Sequence, residues 1–241
     1  MKKNILLLAT FLFSLMAYAQ SDEAKIKGLV EKTENAMGGQ KAFDDLNNIS
    51  WNFFNARTLT WNKKTGDVRI DHRKENTVFL YNTETKAGRV LKNGVEYTQE
   101  DSLSKYLNQA YEQWVNDSYW LAMPFKLDDP GVTLKYAGKK KSNASEDCDV
   151  LEMTFSQVGV TPQNKYHVYI DEKTGLVCQW DYFKNASDTE PRFSTPWLNY
   201  KTYGDVKLSG DRGERKITDI HVFKYLEPSI YSDFKRPSFI K

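Results

Sequence analysis

A two-residue alternation of apolar and polar side chains recurs along most of this chain, and it restricts the fold to one built mainly from sheet. Ile49, Trp51 and Phe53 alternate with Ser50 and Asn52. Leu59 and Trp61 alternate with Thr58 and Thr60, and Val68, Ile70 and His72 with Arg69 and Asp71. Successive side chains of a strand point to opposite faces, so this period gives each strand one face for a core. Asn62-Lys63-Lys64-Thr65-Gly66 reads as a turn, and Asn93-Gly94 supplies the residues of a tight hairpin. Two more strands are expected at 77–81 and 87–91, joined through 82–86. The second half adds candidates at 132–138, 147–157, 164–171, 175–184, 195–203, 205–209 and 214–226. Glu172-Lys173-Thr174-Gly175 and Asp211-Arg212-Gly213 read as hairpin loops.

Two segments break the alternation. Ile26, Leu29, Val30, Thr33 and Met37 follow helical spacing, and Gly38-Gly39 stops that helix as a left-handed cap. A short turn with Ala42, Phe43 and Leu46 on one side follows. Leu103, Tyr106, Leu107, Ala110, Tyr111 and Trp114 fall at i, i+3, i+4, i+7, i+8 and i+11, with Asp101 or Ser102 as the expected cap. This helix leads into an apolar stretch, 118–125, broken at Pro124, and then a loop at Asp128-Asp129-Pro130-Gly131. The expected fold is mainly β (α+β). It is a strongly curved antiparallel sheet, or incomplete β-barrel, of about ten strands, with the N-terminal and internal helices on its concave side. Large twisted sheets do not stay flat, and a helix is the economical cover for an apolar sheet face. The 6 Trp, 14 Tyr and 13 Phe suit such half-buried surfaces.

The N-terminus carries Lys2 and Lys3, an apolar run from Ile5 to Met16, and the small-x-small triplet Ala17-Tyr18-Ala19. This is the pattern of a cleavable secretory signal over residues 1–19, followed by one domain over 20–241. The expected location is the periplasm, without a lipid anchor because no Cys stands at the junction. No later segment approaches the length needed to span a bilayer. Without residues 1–19 the chain has 32 basic and 32 acidic side chains, so a nucleic-acid partner is not expected. Lys139-Lys140-Lys141 reads as a solvated turn. A monomer is favoured.

The chemistry-bearing residues are sparse. His72, His167 and His221 fall on three separate strands, and none has metal-ligand spacing with Cys or a carboxylate. No nucleophile elbow or phosphate-cradling glycine loop is present. The reading is therefore a non-enzyme without cofactor or metal. Cys148 and Cys178 fall on the first and third strands of a meander, about 9–10 Å apart. A disulfide needs Cα atoms within roughly 7 Å, so strand spacing argues against pairing and leaves the question open.

Several motifs resemble one family. Met37-Gly38-Gly39 with Ala42-Phe43, Leu46 and Ile49 resembles the entry of LolA-like exported proteins. Asn93-Gly94-Val95-Glu96-Tyr97 resembles the turn before their internal helix, and the segment 169–176 resembles their hairpin. Phe234 to Pro237 resembles their closing F-x-x-P. The stretch 118–131 is similar to an uncharacterised family of exported Bacteroidetes proteins with that fold. The resemblance implies an incomplete barrel with an apolar cavity for the acyl chain of a lipid or lipoprotein. LolA-type carriers also place an Arg-Pro pair near the cavity mouth, whereas Arg69 and Arg73 here are not followed by proline.

The candidate ligand-binding residues are Trp51, Phe53, Leu59 and Trp61 on strands and Leu107, Tyr111 and Trp114 on the helix, with Trp120, Met123 and Phe125 as a lid. The same side chains would equally fill a solid core. In that case a protein- or glycan-binding module of the cell envelope is the alternative reading, and an uncharacterised hydrolase is a second alternative.

Overall fold

A computed structural model describes residues 22–156 and 158–240, so the leader read at 1–19 lies outside the described residues. In chain order the elements are helix α1 over 22–36, α2 (Gln40–Asp44), β1 (Asn48–Phe53), β2 (Arg57–Asn62), β3 (Asp67–His72), β4 (Thr77–Asn82), β5 (Gly88–Lys92), β6 (Val95–Glu96) and the long helix α3 (Glu100–Ala122). A 3₁₀ turn (Met123–Phe125) leads to β7 (Val132–Lys141), β8 (Asp147–Phe155), β9 (Lys165–Asp171), β10 (Val177–Phe183), β11 (Phe193–Pro196), β12 (Lys201–Tyr203), β13 (Val206–Leu208), β14 (Asp211–Arg212), β15 (Arg215–Phe223) and α4 (Ser229–Ser232). The strands form antiparallel sheets of eight (β14-β15-β1-β2-β3-β4-β5-β6), five (β11-β10-β9-β8-β7) and two (β12-β13) members. Among the described residues the end strands of neither large sheet pair with each other, so no barrel closes.

The described residues divide into two compact units, one of residues 37–126 with 196–240 and the other of residues 22–36 with 127–156 and 158–195. The first holds the eight-stranded sheet. Its strands follow the expected alternation, and the Asn93-Gly94 turn has positive φ at both residues, 53° and 78°, as a two-residue hairpin requires. Met37 passes its carbonyl to the Lys207 amide at 2.8 Å. Gly38 is required there, because its φ is 107° and a Cβ would stand 2.1 Å from the Asp205 carbonyl oxygen.

One face of this sheet carries α3. The other is polar and carries the C-terminal segment. Arg69, fully buried, grips Asp71 through two bonds (2.7 and 3.1 Å) and donates to the carbonyls of Ile230, Asp233 and Phe234. Arg89 donates to the Ser232 carbonyl at 2.8 Å, and the Tyr231 hydroxyl to Asn48 Oδ1 at 2.8 Å. The closing segment is thus held by side-chain donors rather than by strand pairing.

In the five-stranded unit, α1 is tied to the sheet by Lys25 with Asp149 (3.2 Å) and by Lys32 with the Glu172 carbonyl (2.7 Å). The Glu172–Gly175 loop is built as expected: Asp171 Oδ1 accepts from both the amide and the hydroxyl of Thr174 at 2.7 Å.

Four expectations need correction. Lys139-Lys140-Lys141 is no turn but the exposed end of β7, an edge strand, where Lys139 pairs with Glu172 and Lys141 with Asp147, each at 2.7 Å. Lysines on an edge discourage pairing with another sheet. The cap of α3 is Gln99, without a side-chain cap bond, and Asp101 and Ser102 lie inside the first turn. The expected strand 195–203 is two short ones, and Asp211-Arg212 pairs as β14 beside its turn.

Candidate functional site

The register of the eight-stranded sheet lines up its α3-facing residues. Trp51 opposes Leu59, Leu59 opposes Ile70 and Ile70 opposes Phe79; in the next row Ile49, Trp61, Val68 and Tyr81 stand side by side. Opposed residues share a face, so Trp51, Phe53, Leu59 and Trp61 belong to one surface. Helix α3 brings its own row against it. Trp114 meets Trp61 edge-on at 5.4 Å, Tyr111 lies 6.5 Å from Tyr81, and Tyr106 lies 6.3 Å from Phe79. Leu107 sits over Gly88, where a Cβ would come within 2.8 Å of its Cδ2, so the missing side chain admits the helix. Trp120 closes on Phe53 at 6.3 Å and on Phe54 at 5.2 Å.

The structure therefore gathers the expected strand and helix residues into one aromatic layer. Within it Trp51 and Leu59 are fully buried, while Trp61, Leu107, Tyr111, Trp114 and Trp120 keep part of their surface. Met123 and Phe125 lie at the C-terminal end of α3 in packed interior, with Phe125 stacked on Phe43 at 4.4 Å. Burial raises the Tyr81 phenol above its ordinary value, and the nearby Tyr111 adds to this.

The polar chemistry of this layer was not anticipated. Three indole N–H groups, those of Trp51, Trp61 and Trp114, are buried without an acceptor. Asp117, on the sheet-facing side of α3 and fully buried, receives both arms of Arg57 at 2.6 Å each, and Asn116 Nδ2 at 2.9 Å. Burial lifts the Asp117 carboxyl above its ordinary range, and the Arg57 guanidinium works against that lift. Next to it, His72 Nε2 and Gln113 Oε1 are hydrogen-bonded at 2.8 Å. The C-terminal end of α3 is held by Arg212, which donates to the Trp120 carbonyl at 2.7 Å and lies over the Trp197 ring at 3.4 Å. These bonds satisfy groups at a helix end and inside an apolar row that would otherwise be stranded.

Asp117 did carry a signal. It falls on the rhythm 103, 107, 110, 114, 117, 121, so it is a charge in an apolar stripe and demands a partner. Arg57 carried none, since it lies sixty residues away. Beside Arg57, a recess of about 60 Å³ is lined also by Asn52, Asn55, Arg73, Lys74 and Arg236, with Asp71 at its wall. Its surround is predominantly cationic.

The histidines stay apart in role. His167 lies in the five-stranded sheet, 3.5 Å from Glu152, and burial lowers its pKa. His221 on β15 is register partner to Ser50. Among the described residues no group of three His, Cys, Asp or Glu side chains is placed to hold a metal ion, and no helix is long and apolar enough to cross a membrane.

No curated protein matches the chain. Among solved structures it is similar to a DUF1329 family protein from Desulfovibrio piger, at 12% identity over 86% of this chain and 96% of that one, with a TM-score of 0.44. It is similar to a candidate outer membrane lipoprotein-sorting protein domain from Vibrio parahaemolyticus, at 13% identity over 84% of this chain and 97% of that one, with a TM-score of 0.36. A LolA superfamily protein from Nitrosomonas europaea is similar at 8% identity over 76% and 86% of the two chains, with a TM-score of 0.32. The model of DUF6503, a family of unknown function, matches residues 1–197, and the chain belongs to that family.

Proposed function

We propose that this protein is a non-catalytic, periplasmic binder of an apolar ligand, the acyl chain of a lipid or lipoprotein, held between α3 and the eight-stranded sheet. The observation that carries the reading is the set of three indole N–H groups left without acceptors in one aromatic layer. A buried donor without an acceptor costs about 1–3 kcal/mol, and native proteins rarely leave several together. Ester or amide oxygens at the head of an acyl chain would accept from those donors while the rings clad the chain. His72 is engaged by Gln113, which supports binding rather than proton transfer.

The test is native mass spectrometry and lipid extraction of the purified protein, with titration of N-phenylnaphthylamine as an apolar probe. Co-purifying lipid, or saturable probe binding displaced by an anionic amphiphile, is expected. No lipid and no probe binding would leave the layer a solid core and end the carrier reading.

A further inference from the structure

Cys148 and Cys178 sit on β8 and β10, two strands separated by β9, yet their sulfurs lie 3.3 Å apart. A regular meander would hold these strands about 9–10 Å apart and keep the thiols out of reach. The irregularity that brings them together is in the register of β10 on β9. Val177 opposes Ile170 and Gln179 opposes Tyr169, so Cys178 is an extra residue without a partner of its own. A bulge of this kind re-aims the side chain it carries. On the other side of β9, Cys148 opposes Asp171. Ile170, the residue between Asp171 and Tyr169, points to the opposite face by strand alternation. The backbone of β9 is thus uncovered at the one place where the two sulfurs cross it. Both cysteines are buried, in a cluster with Val150 and Tyr169 against which Ala137 packs.

We propose that Cys148 and Cys178 are a disulfide-forming pair that staples β8 to β10 across β9. The oxidant is a small-molecule disulfide such as oxidised glutathione. One cysteine, as thiolate, attacks it, expels one thiol and forms a mixed disulfide. The second thiolate attacks the protein sulfur of that bond, expels the second thiol and closes Cys148–Cys178. The two protein S–H protons end on the two expelled thiols, and two electrons pass to the oxidant. Burial holds both thiols above the ordinary cysteine range, so exchange is slow in the folded protein and proceeds during folding, while the strands are still open. The staple closes a loop between residues thirty apart. Loop-closure entropy for that length favours the folded state roughly 100- to 1,000-fold.

The test measures the thiol–disulfide equilibrium of the full chain with glutathione, once in native buffer and once in strong guanidinium chloride. Equilibrium is approached both by refolding reduced chain and from oxidised chain, with acid quench, alkylation and intact mass as readout. The expected result is an effective thiol concentration about 100- to 1,000-fold higher folded than unfolded, with the folded chain two mass units lighter and free of adducts. Equal or lower values in the folded chain overturn the proposal, as does a stable glutathione adduct on the folded protein. Cys178→Ser supplies the control: its single thiol should show no folded-state enhancement, whether or not the variant is fully stable.

Discussion

Removing Arg57 should harm this protein much more than removing Asp117, although the two make one ion pair. The reason is their unequal burial: the Arg57 side chain is 17% exposed and Asp117 is 0% exposed. In Arg57→Ala the carboxylate stays buried with only Asn116 left as donor, and stranding a charge in this way costs about 3–5 kcal/mol. In Asp117→Ala the guanidinium keeps a route to water and its place 5.1 Å from the Phe53 ring, and the cost should be about 1–3 kcal/mol. The difference should also depend on pH. Asp117 is already raised above its ordinary 3.8 by burial, and the loss of Arg57 removes the main opposing influence. A carboxyl whose folded pKa lies above its unfolded one contributes stability at low pH and loses it as pH rises through the folded value. Arg57→Ala should therefore be closer to wild type at about pH 5 than at about pH 8, since the carboxyl can take up a proton at the lower pH. Urea unfolding at both values, with the double variant to close the cycle, measures this. Equal losses in the two single variants, or a loss in Arg57→Ala that does not change with pH, would refute the reasoning. Because the pair pins α3 to β2, Arg57→Ala should also speed amide exchange in the second half of α3.

Further outcomes follow from single residues. Gly38→Ala combines a φ of 107° with a Cβ 2.1 Å from a carbonyl oxygen, and should lose more than about 2 kcal/mol in urea unfolding; a loss under about 0.5 kcal/mol contradicts the described turn. Arg69→Ala strips donors from three carbonyls of the C-terminal segment, so trypsin should cut near Lys224 and Lys235 well before the sheet is digested; an unchanged digestion pattern counts against the strap. Burial pushes the Tyr166 phenol up to about 12. Its folded pKa lies above the ordinary 10, so the stability it contributes is lost as pH rises from 10 towards 12. Tyr166→Phe should remove on the order of 2 kcal/mol of that alkaline loss, and identical alkaline unfolding curves would refute it. On the acyl-chain reading, Trp114→Phe keeps the apolar wall but removes one indole donor, and should weaken an ester-bearing amphiphile about 5- to 10-fold while leaving a pure hydrocarbon probe unchanged.

How much of this could be read from residues alone depends on the distance over which each feature is decided. The strands β1 to β5 and the hairpin at Asn93-Gly94 were legible because alternation and positive φ are properties of neighbouring residues. The aromatic layer was legible for the same reason: Trp51, Phe53, Leu59 and Trp61 share a face by period two, and Leu107, Tyr111 and Trp114 share one by helical period. The Lys139–Lys141 run misled because an edge strand has one neighbour and does not need the apolar alternation of a central one. The C-terminal segment was legible only as a motif, since its anchors, Arg69 and Arg89, lie more than 140 residues upstream.

The two least legible features, the Arg57–Asp117 pair and the Cys148–Cys178 contact, share a cause. Each depends on register between elements distant in sequence, and register is set by the sum of many contacts rather than by the residues that meet. The argument from strand spacing against a cysteine pair was sound for a regular ladder. One unpaired residue in β10 breaks that regularity, and the two sulfurs stand 3.3 Å apart. Asp117 shows the opposite case, in which a local anomaly, a charge on an apolar stripe, reveals that a distant partner must exist without naming it. A buried ionisable group out of step with its row is therefore the better guide to an unseen contact than any spacing rule, because the cost of leaving it unpaired applies whatever the register turns out to be.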